Sequence, residues 1–190
     1  MKFYKVFKLK NGEELIIENA KVEDAEELTN VYNSVIRETK YLSRGDRDGY
    51  FKSEDTLENI KDYLESDKVV MLVARYKDKI VGDCHLDACL FKQRMNHRCD
   101  IGISILKDYW GLGIGGRMMS CLVEIANNEG FEQIELNVAE NNKRAIEMYK
   151  SFGFVEMGRI LNAFKYSDGT YDNYVGMVKF LKDQKEISKR

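Results

Sequence analysis

The sequence predicts an α+β domain: a mixed, mostly antiparallel, twisted sheet flanked by about four helices. Three observations carry that prediction. Long strand-patterned stretches meander at both ends of the chain, with only short turns between neighbours. Asn11-Gly12 and Asp168-Gly169 put residues tolerant of positive φ where tight hairpins need them. From residue 98 onward the order strand, helix, strand, helix gives two βα units, which is too little for a doubly wound parallel sheet.

The elements follow in order. Lysines alternate with apolar residues over 3–9, a strand pattern, and a second strand at 14–17 is joined to it at Asn11-Gly12. A helix begins near Val22, where Ala25, Leu28, Val31 or Tyr32, and Val35 recur at helical spacing. Residues 41–52, with Gly45 and Gly49 among charges, form a loop. A helix over 54–65 is capped by Ser53 and buries Leu57, Ile60 and Leu64. Three strands follow at 69–75, 80–88 and 98–106, the first two linked by the charged turn Tyr76-Lys77-Asp78-Lys79. The helix at 117–129 has Met118, Cys121 or Leu122, and Ile125 on one face, and Gly130 stops it in a left-handed cap. Residues 134–138 are a strand and 142–152 a helix ended by Gly153. The closing hairpin pairs 155–166 with 171–180, and the tail from 182 is polar and expected to fray.

Composition narrows the function classes. A chain of 190 residues fits one domain, taken as 1–190. A formal charge of -2 does not recommend nucleic acid as a partner. No apolar run approaches a membrane span, and the N-terminus lacks a signal-peptide pattern, so the expected location is cytoplasmic. Cys84, His85, Cys89, His97 and Cys99 crowd one stretch, but their spacing matches no common zinc motif. Reduced, buried cysteines and no metal are expected.

The chemistry gathers at Gly111-Leu112-Gly113-Ile114-Gly115-Gly116. Glycines there let the backbone approach a phosphate without a Cβ in the way, and amides at the start of the following helix hold the anion. Gly111, Gly113 and Gly116 also spell the dinucleotide pattern Gly-x-Gly-x-x-Gly, with Glu140 near the end of the next strand. Against that reading, Lys107-Asp108-Tyr109-Trp110 separate the loop from its strand, and too little chain follows to build a large parallel sheet.

Two linked motifs resemble the GCN5-related N-acetyltransferases, the GNAT superfamily, over about residues 15–180. The first is Ile103-Ser104-Ile105-Leu106-Lys107-Asp108-Tyr109-Trp110-Gly111-Leu112-Gly113-Ile114-Gly115, similar to that family's strand and Arg/Gln-x-x-Gly-x-Gly/Ala loop, with Trp110 where Arg or Gln is usual. The second runs from Leu136 to Phe154 and resembles the family's strand, Asn-x-x-Ala, Tyr and Gly-Phe, with Asn142, Ala145, Tyr149 and Gly153-Phe154 at those places.

The resemblance implies a GNAT-type fold and an N-acyltransferase that moves an acetyl group from acetyl-CoA directly to a primary amine. The donor's diphosphate would lie on the amides of residues 111–116, and the pantetheine arm along Ile103–Ile105. Asn142 matches a cofactor-contacting Asn and also suits a helix N-cap. Tyr149 matches the tyrosine that protonates the departing thiolate, a role open to a phenol protonated at neutral pH. Asp100, on the strand leading into the loop, is the candidate base; Glu135, Asp83 and Asp87 are further strand carboxylates. Tyr41 and Arg44 are candidates for the acceptor side. The acceptor is a small-molecule amine or a protein N-terminus, and a homodimer is a common arrangement among the proteins it resembles. A non-catalytic acyl-CoA sensor or scaffold is the alternative, and a nucleotide-dependent oxidoreductase a third reading.

Overall fold

The computed structural model describes residues 2–45, 48–89 and 93–182. The strands are β1 (Tyr4–Lys8), β2 (Glu14–Asn19), β3 (Val70–Tyr76), β4 (Lys79–Ala88), β5 (Arg98–Ile105), β6 (Gln133–Ala139), β7 (Val155–Lys165) and β8 (Tyr171–Phe180). The helices are α1 (Ala25–Glu38), α2 (Ser53–Glu65), α3 (Ile114–Asn128) and α4 (Lys143–Ser151). The strands form one sheet in the order β1-β2-β3-β4-β5-β6-β8-β7. Every neighbouring pair is antiparallel except β5 and β6. The mixed, mostly antiparallel architecture expected from the sequence is therefore present. The frayed tail expected beyond 182 lies outside the described residues.

The sheet is buried from both sides. Leu28, Val31 and Val35 of α1 and Ile60 of α2 pack with Met71, Val73 and Ile80 on one face. Met118, Cys121, Leu122 and Ile125 of α3, with Ile146 and Tyr149 of α4, pack with Leu72, Cys84, Leu136 and Val138 on the other. This is why β3 reads as an unbroken apolar run: both of its faces need hydrophobic side chains. Arg75 ties the two ends of this layer together, pairing with Glu18 of β2 and with buried Asp24 just before α1.

Several local expectations are corrected. Among the non-glycine residues described, Asn11 is not at positive φ, and Gly12 alone turns the first hairpin, its amide donating to Leu9 O. The two-residue turn with both φ positive is instead Lys77-Asp78, at 51° and 62°, joining Tyr76 to Lys79. Ser53 does not cap α2; it is the first helical residue, and the Asp55 carboxylate accepts from the Lys52 amide at 3.4 Å. Helix α3 starts at Ile114, three residues earlier than 117, because Gly113 at φ 87° reverses the chain into it.

Strands β5 and β6 pair only over Arg98–Asp100 and Gln133–Glu135. That closed end is held by Arg98, whose guanidinium donates to both oxygens of Glu135. Beyond it β6 continues beside β8 and β5 beside β4, so the sheet parts into a wedge between residues 101–105 and 136–139.

Candidate active site

The loop lies at the open end of this wedge. Leaving β5, the chain makes a single 3-10 turn, Lys107–Tyr109, and then passes Gly111 at φ 89° and Gly113 at φ 87°. Side chains disfavour that region, so glycine is the residue type the turn requires. The first amides of α3, at Ile114, Gly115 and Gly116, have no intrahelical acceptor and carry the positive end of the helix dipole. A Cβ at Gly113 would meet nothing within 4 Å, which leaves an open cradle in front of these amides. Gly115 is glycine for another reason: a Cβ there would lie 3.1 Å from Met148 Sδ and 3.3 Å from Ile105 Cδ1. It lets α3 settle against β5 and α4.

Trp110 is anchored rather than free. Its Nε1 donates to Ile105 O at 2.8 Å, and Arg144 from the first turn of α4 stacks over its ring at 5.2 Å. The Arg144 guanidinium also lies 3.9 Å from a would-be Cβ of Gly111. Arg144 thus brings a cation to the edge of the loop, beside the aromatic residue that stands where the resemblance expects Arg or Gln. Asn142 caps α4, its Oδ1 accepting from the Ala145 amide at 3.2 Å. Leu112 is packed against the apolar cluster shared with Ile103 and Ile105.

Tyr149 is buried among the residues of that cluster, its ring 5.8 Å from Phe154. Burial, with a smaller push from the negative charge of Asp100, raises its phenol to about 12. The hydroxyl is therefore protonated at neutral pH.

Asp100 lies on the opposite face of the sheet, at the point where β5 and β6 part. Desolvation pushes its carboxyl up to about 6; His85 pulls it down, and Asp87 and Glu135 push it further up. Its neighbours are committed elsewhere. Glu135 is bound by Arg98 and by Gln133, and the Arg98 hydrogen bonds hold its carboxyl below the usual range. Buried Asp83 accepts from Ser104 and from Tyr32 of α1. Asp87 accepts from Tyr63 of α2 at 2.7 Å. Among the described residues, only Asp100 of these four carboxylates accepts no hydrogen bond.

Sequence reasoning missed His85 as a site residue. It stands between Asp83 and Asp87 and faces Gly102 across the β4–β5 ladder. Arg44 donates to Asp48 O and Gly49 O of its own loop and stacks over Phe51, whose ring packs against Tyr32. Cys84, Cys99 and Cys121 are buried and reduced. Among the described residues no group of three or more His, Cys, Asp or Glu side chains is placed to hold a metal ion.

The dinucleotide reading of the glycines falls on topology, because the sheet has a single parallel pair and a 3-10 turn separates the loop from its strand. Comparison with known proteins points elsewhere. The model of the acetyltransferase (GNAT) family matches residues 32–154. The Drosophila melanogaster protein named "Probable N-acetyltransferase san" is 36% identical over 96 residues, 49% of this chain and 50% of that protein. The chain thus spans about half the length of the curated relatives it matches. A solved acetyltransferase of the GNAT family from Streptococcus pneumoniae superposes with a TM-score of 0.82 at 28% identity, covering 88% of this chain and 99% of that one. The protein yncA from Salmonella typhimurium, solved with its cofactor acetyl-CoA, shares the fold with a TM-score of 0.79 at 16% identity over 89% of this chain and 95% of that one.

Proposed function

The chain belongs to the acetyltransferase (GNAT) family, and from that premise we propose that it is an N-acetyltransferase using acetyl-CoA as donor and a primary amine as acceptor. The observation that carries the proposal is the wedge between β5 and β6, which opens onto the Gly111–Gly116 backbone.

The residues fit the donor. Its diphosphate suits the positive-φ glycines and the amides of Ile114, Gly115 and Gly116, with Arg144 alongside. The open edge of Ile103 and Ile105 offers backbone hydrogen-bonding groups to an extended amide-bearing arm. Asn142 keeps α4 in register beside it. Acetyl-CoA supplies an acyl group activated as a thioester; the protein's own part is to orient it, exclude water and move protons.

Two side chains flank the proton transfers. Tyr149, protonated and buried, is the acid that gives a proton to the departing sulfur. Asp100, without a hydrogen-bonding partner among the described residues and raised toward neutrality, meets the incoming ammonium on the other face and is the first base it encounters. The acceptor is a small amine or a protein N-terminus. Among the described residues no helix is long and apolar enough to cross a membrane. A cytoplasmic enzyme and a homodimer through the exposed edge strand β7, which carries Met157, Ile160 and Leu161 at its surface, complete the reading.

The test is a pair of thermal-shift titrations with acetyl-CoA and with NAD, followed by an acceptor screen that reads released coenzyme A thiol. Stabilisation by acetyl-CoA and turnover on one class of amine are expected. Stabilisation by NAD alone would sink the reading, and binding of acetyl-CoA without turnover on any amine or N-terminal peptide would favour a sensor or scaffold.

A further inference from the structure

Asp83, His85 and Asp87 alternate along β4 and so share one face of the sheet; Ser104, Gly102 and Asp100 stand opposite them on β5. The middle pair is the informative one. A Cβ built on Gly102 would lie 2.3 Å from His85 Cε1 and 2.5 Å from His85 Nε2. The imidazole therefore lies across β5 itself, on the strand whose far edge bounds the wedge. Only glycine at 102 leaves room for it.

Among the described residues, the titratable groups that face this ring are acidic or phenolic. On its own strand Nδ1 is 3.9 Å from Asp83 Oδ2, and Nε2 is 3.9 Å from Asp87 Oδ2. Asp100 faces it from β5. From α2, the Tyr63 ring is 6.3 Å away with its hydroxyl on Asp87; from α1, Tyr32 directs its hydroxyl to Asp83. Both phenols are pushed far above their ordinary range by burial, so they remain neutral donors to these carboxylates. The imidazole keeps about a third of its surface open, 35% of the side chain.

We propose that His85 is a catalytic base of the acyl transfer, taking the proton of the acceptor ammonium that Asp100 has engaged. The inference rests on the acetyltransferase reading above. In atoms, the ammonium N–H bond breaks and its proton passes to an imidazole nitrogen. The freed nitrogen lone pair bonds to the acyl carbon, the carbon–sulfur bond breaks, and the sulfur keeps that electron pair. The nitrogen sheds its second proton as the amide forms, and the sulfur takes up one proton as thiol. The net release is one proton, handed from His85 to solvent. The carboxylates make the ring a suitable base. Burial alone would lower its pKa, and Asp83, Asp87 and Asp100 reverse that and raise it above the ordinary 6.5. In its neutral form, the ring so surrounded holds an accepted proton more firmly than a free imidazole would.

The chain has two histidines, His85 and His97, so an NMR titration of the free enzyme resolves both, with His85→Gln giving the assignment. The His85 midpoint should fall above 6.5, and kcat/KM should rise with pH through that same midpoint. His85→Gln should lower kcat by roughly 10²–10⁴-fold and remove that limb, while calorimetry shows unchanged affinity for acetyl-CoA. His85→Ala should regain turnover with added imidazole, a rescue that a structural role would not give. Gly102→Ala, whose methyl takes the ring's place, should reproduce the kcat loss in a protein that still binds acetyl-CoA. Asp100→Asn should raise the amine KM and keep the His85 limb. A limb that survives His85→Gln and vanishes in Asp100→Asn overturns the proposal and leaves the proton with Asp100. A wild type that binds acetyl-CoA yet acetylates nothing removes the acetyltransferase reading and this proposal together, and its silent wild type tells that failure from the first.

Discussion

Tyr149 is the residue where a motif and a physical environment agree. The phenol is buried, and its pKa is pushed up to about 12, so it remains an acid throughout the working range. Tyr149→Phe should lower kcat by roughly 10²-fold or more with acetyl-CoA affinity intact, measured by steady-state kinetics and calorimetry. Its ionisation should add no alkaline limb to kcat until the pH nears about 12. Asp172 makes a stability prediction of the same grain. Burial alone would raise its carboxyl, but hydrogen bonds from Tyr166 Oη, from the Asn173 amide and from the Asn141 amide hold it below the ordinary 3.8. A carboxyl depressed in the folded state stabilises the fold above its unfolded pKa, and that contribution disappears as the pH falls through the lower, folded value. Asp172→Ala should therefore cost about 1–3 kcal/mol at neutral pH, read as a lowered denaturation midpoint, with the gap to wild type closing in acid. Tyr149 and Asn142 could be nominated from the sequence because their motif is local. His85 was not, because its environment is assembled by strand register: Asp100 and Gly102 come beside it across a ladder, from positions that a linear reading has no reason to join.

At the scale of elements, glycines separate by what a side chain would meet. Gly113 sits at φ +87° with nothing within 4 Å of a would-be Cβ. Gly113→Val should cost about 1–2 kcal/mol of backbone strain and abolish acetyl-CoA binding by filling the cradle. Gly82 is the reverse case: a Cβ there would lie 2.4 Å from Ser104 O of the neighbouring strand β5. Gly82→Ala should lower the melting temperature of the unliganded protein because it pries the two strands apart. A Gly113 variant that retains acetyl-CoA affinity would contradict the phosphate-cradle assignment. Elements themselves were readable wherever apolar periodicity ran long, as in α1, α3 and β3. Turn chemistry was less so. Asn11-Gly12 looked like a two-residue hairpin, yet the flanking register made it a longer turn with Gly12 alone at positive φ. Lys77-Asp78 carries no glycine and still adopts the left-handed pair, because the ladder from Tyr76 to Lys79 leaves it no room for anything wider. Ser53 lost its expected role to Asp55, whose carboxylate satisfies the exposed amide of Lys52.

Across the whole molecule, the sequence conveyed strand content and the presence of a closing hairpin but not its placement. The second strand of that hairpin, β8, is the one beside β6, and β7 takes the outer edge. That order follows from burial: Val175 and Met177 of β8 lie in the core, while Val155, Met157, Ile160 and Leu161 of β7 are exposed. The wedge follows from the same arrangement, since β6 finds its continuing partner in β8 and owes β5 only three residue pairs. Its consequence is one of protection and compliance. Backbone amides of residues 101–105 that face the gap have no neighbouring strand and should exchange with deuterium early, although they lie mid-sheet and beside a buried core. A donor arm laid into the gap would serve as a short ninth strand, slowing exchange on both lips at once and stiffening the joint between the two halves of the sheet. The molecule would then be most rigid when loaded, and loss of its substrate would be felt as softening far from any residue that touches it.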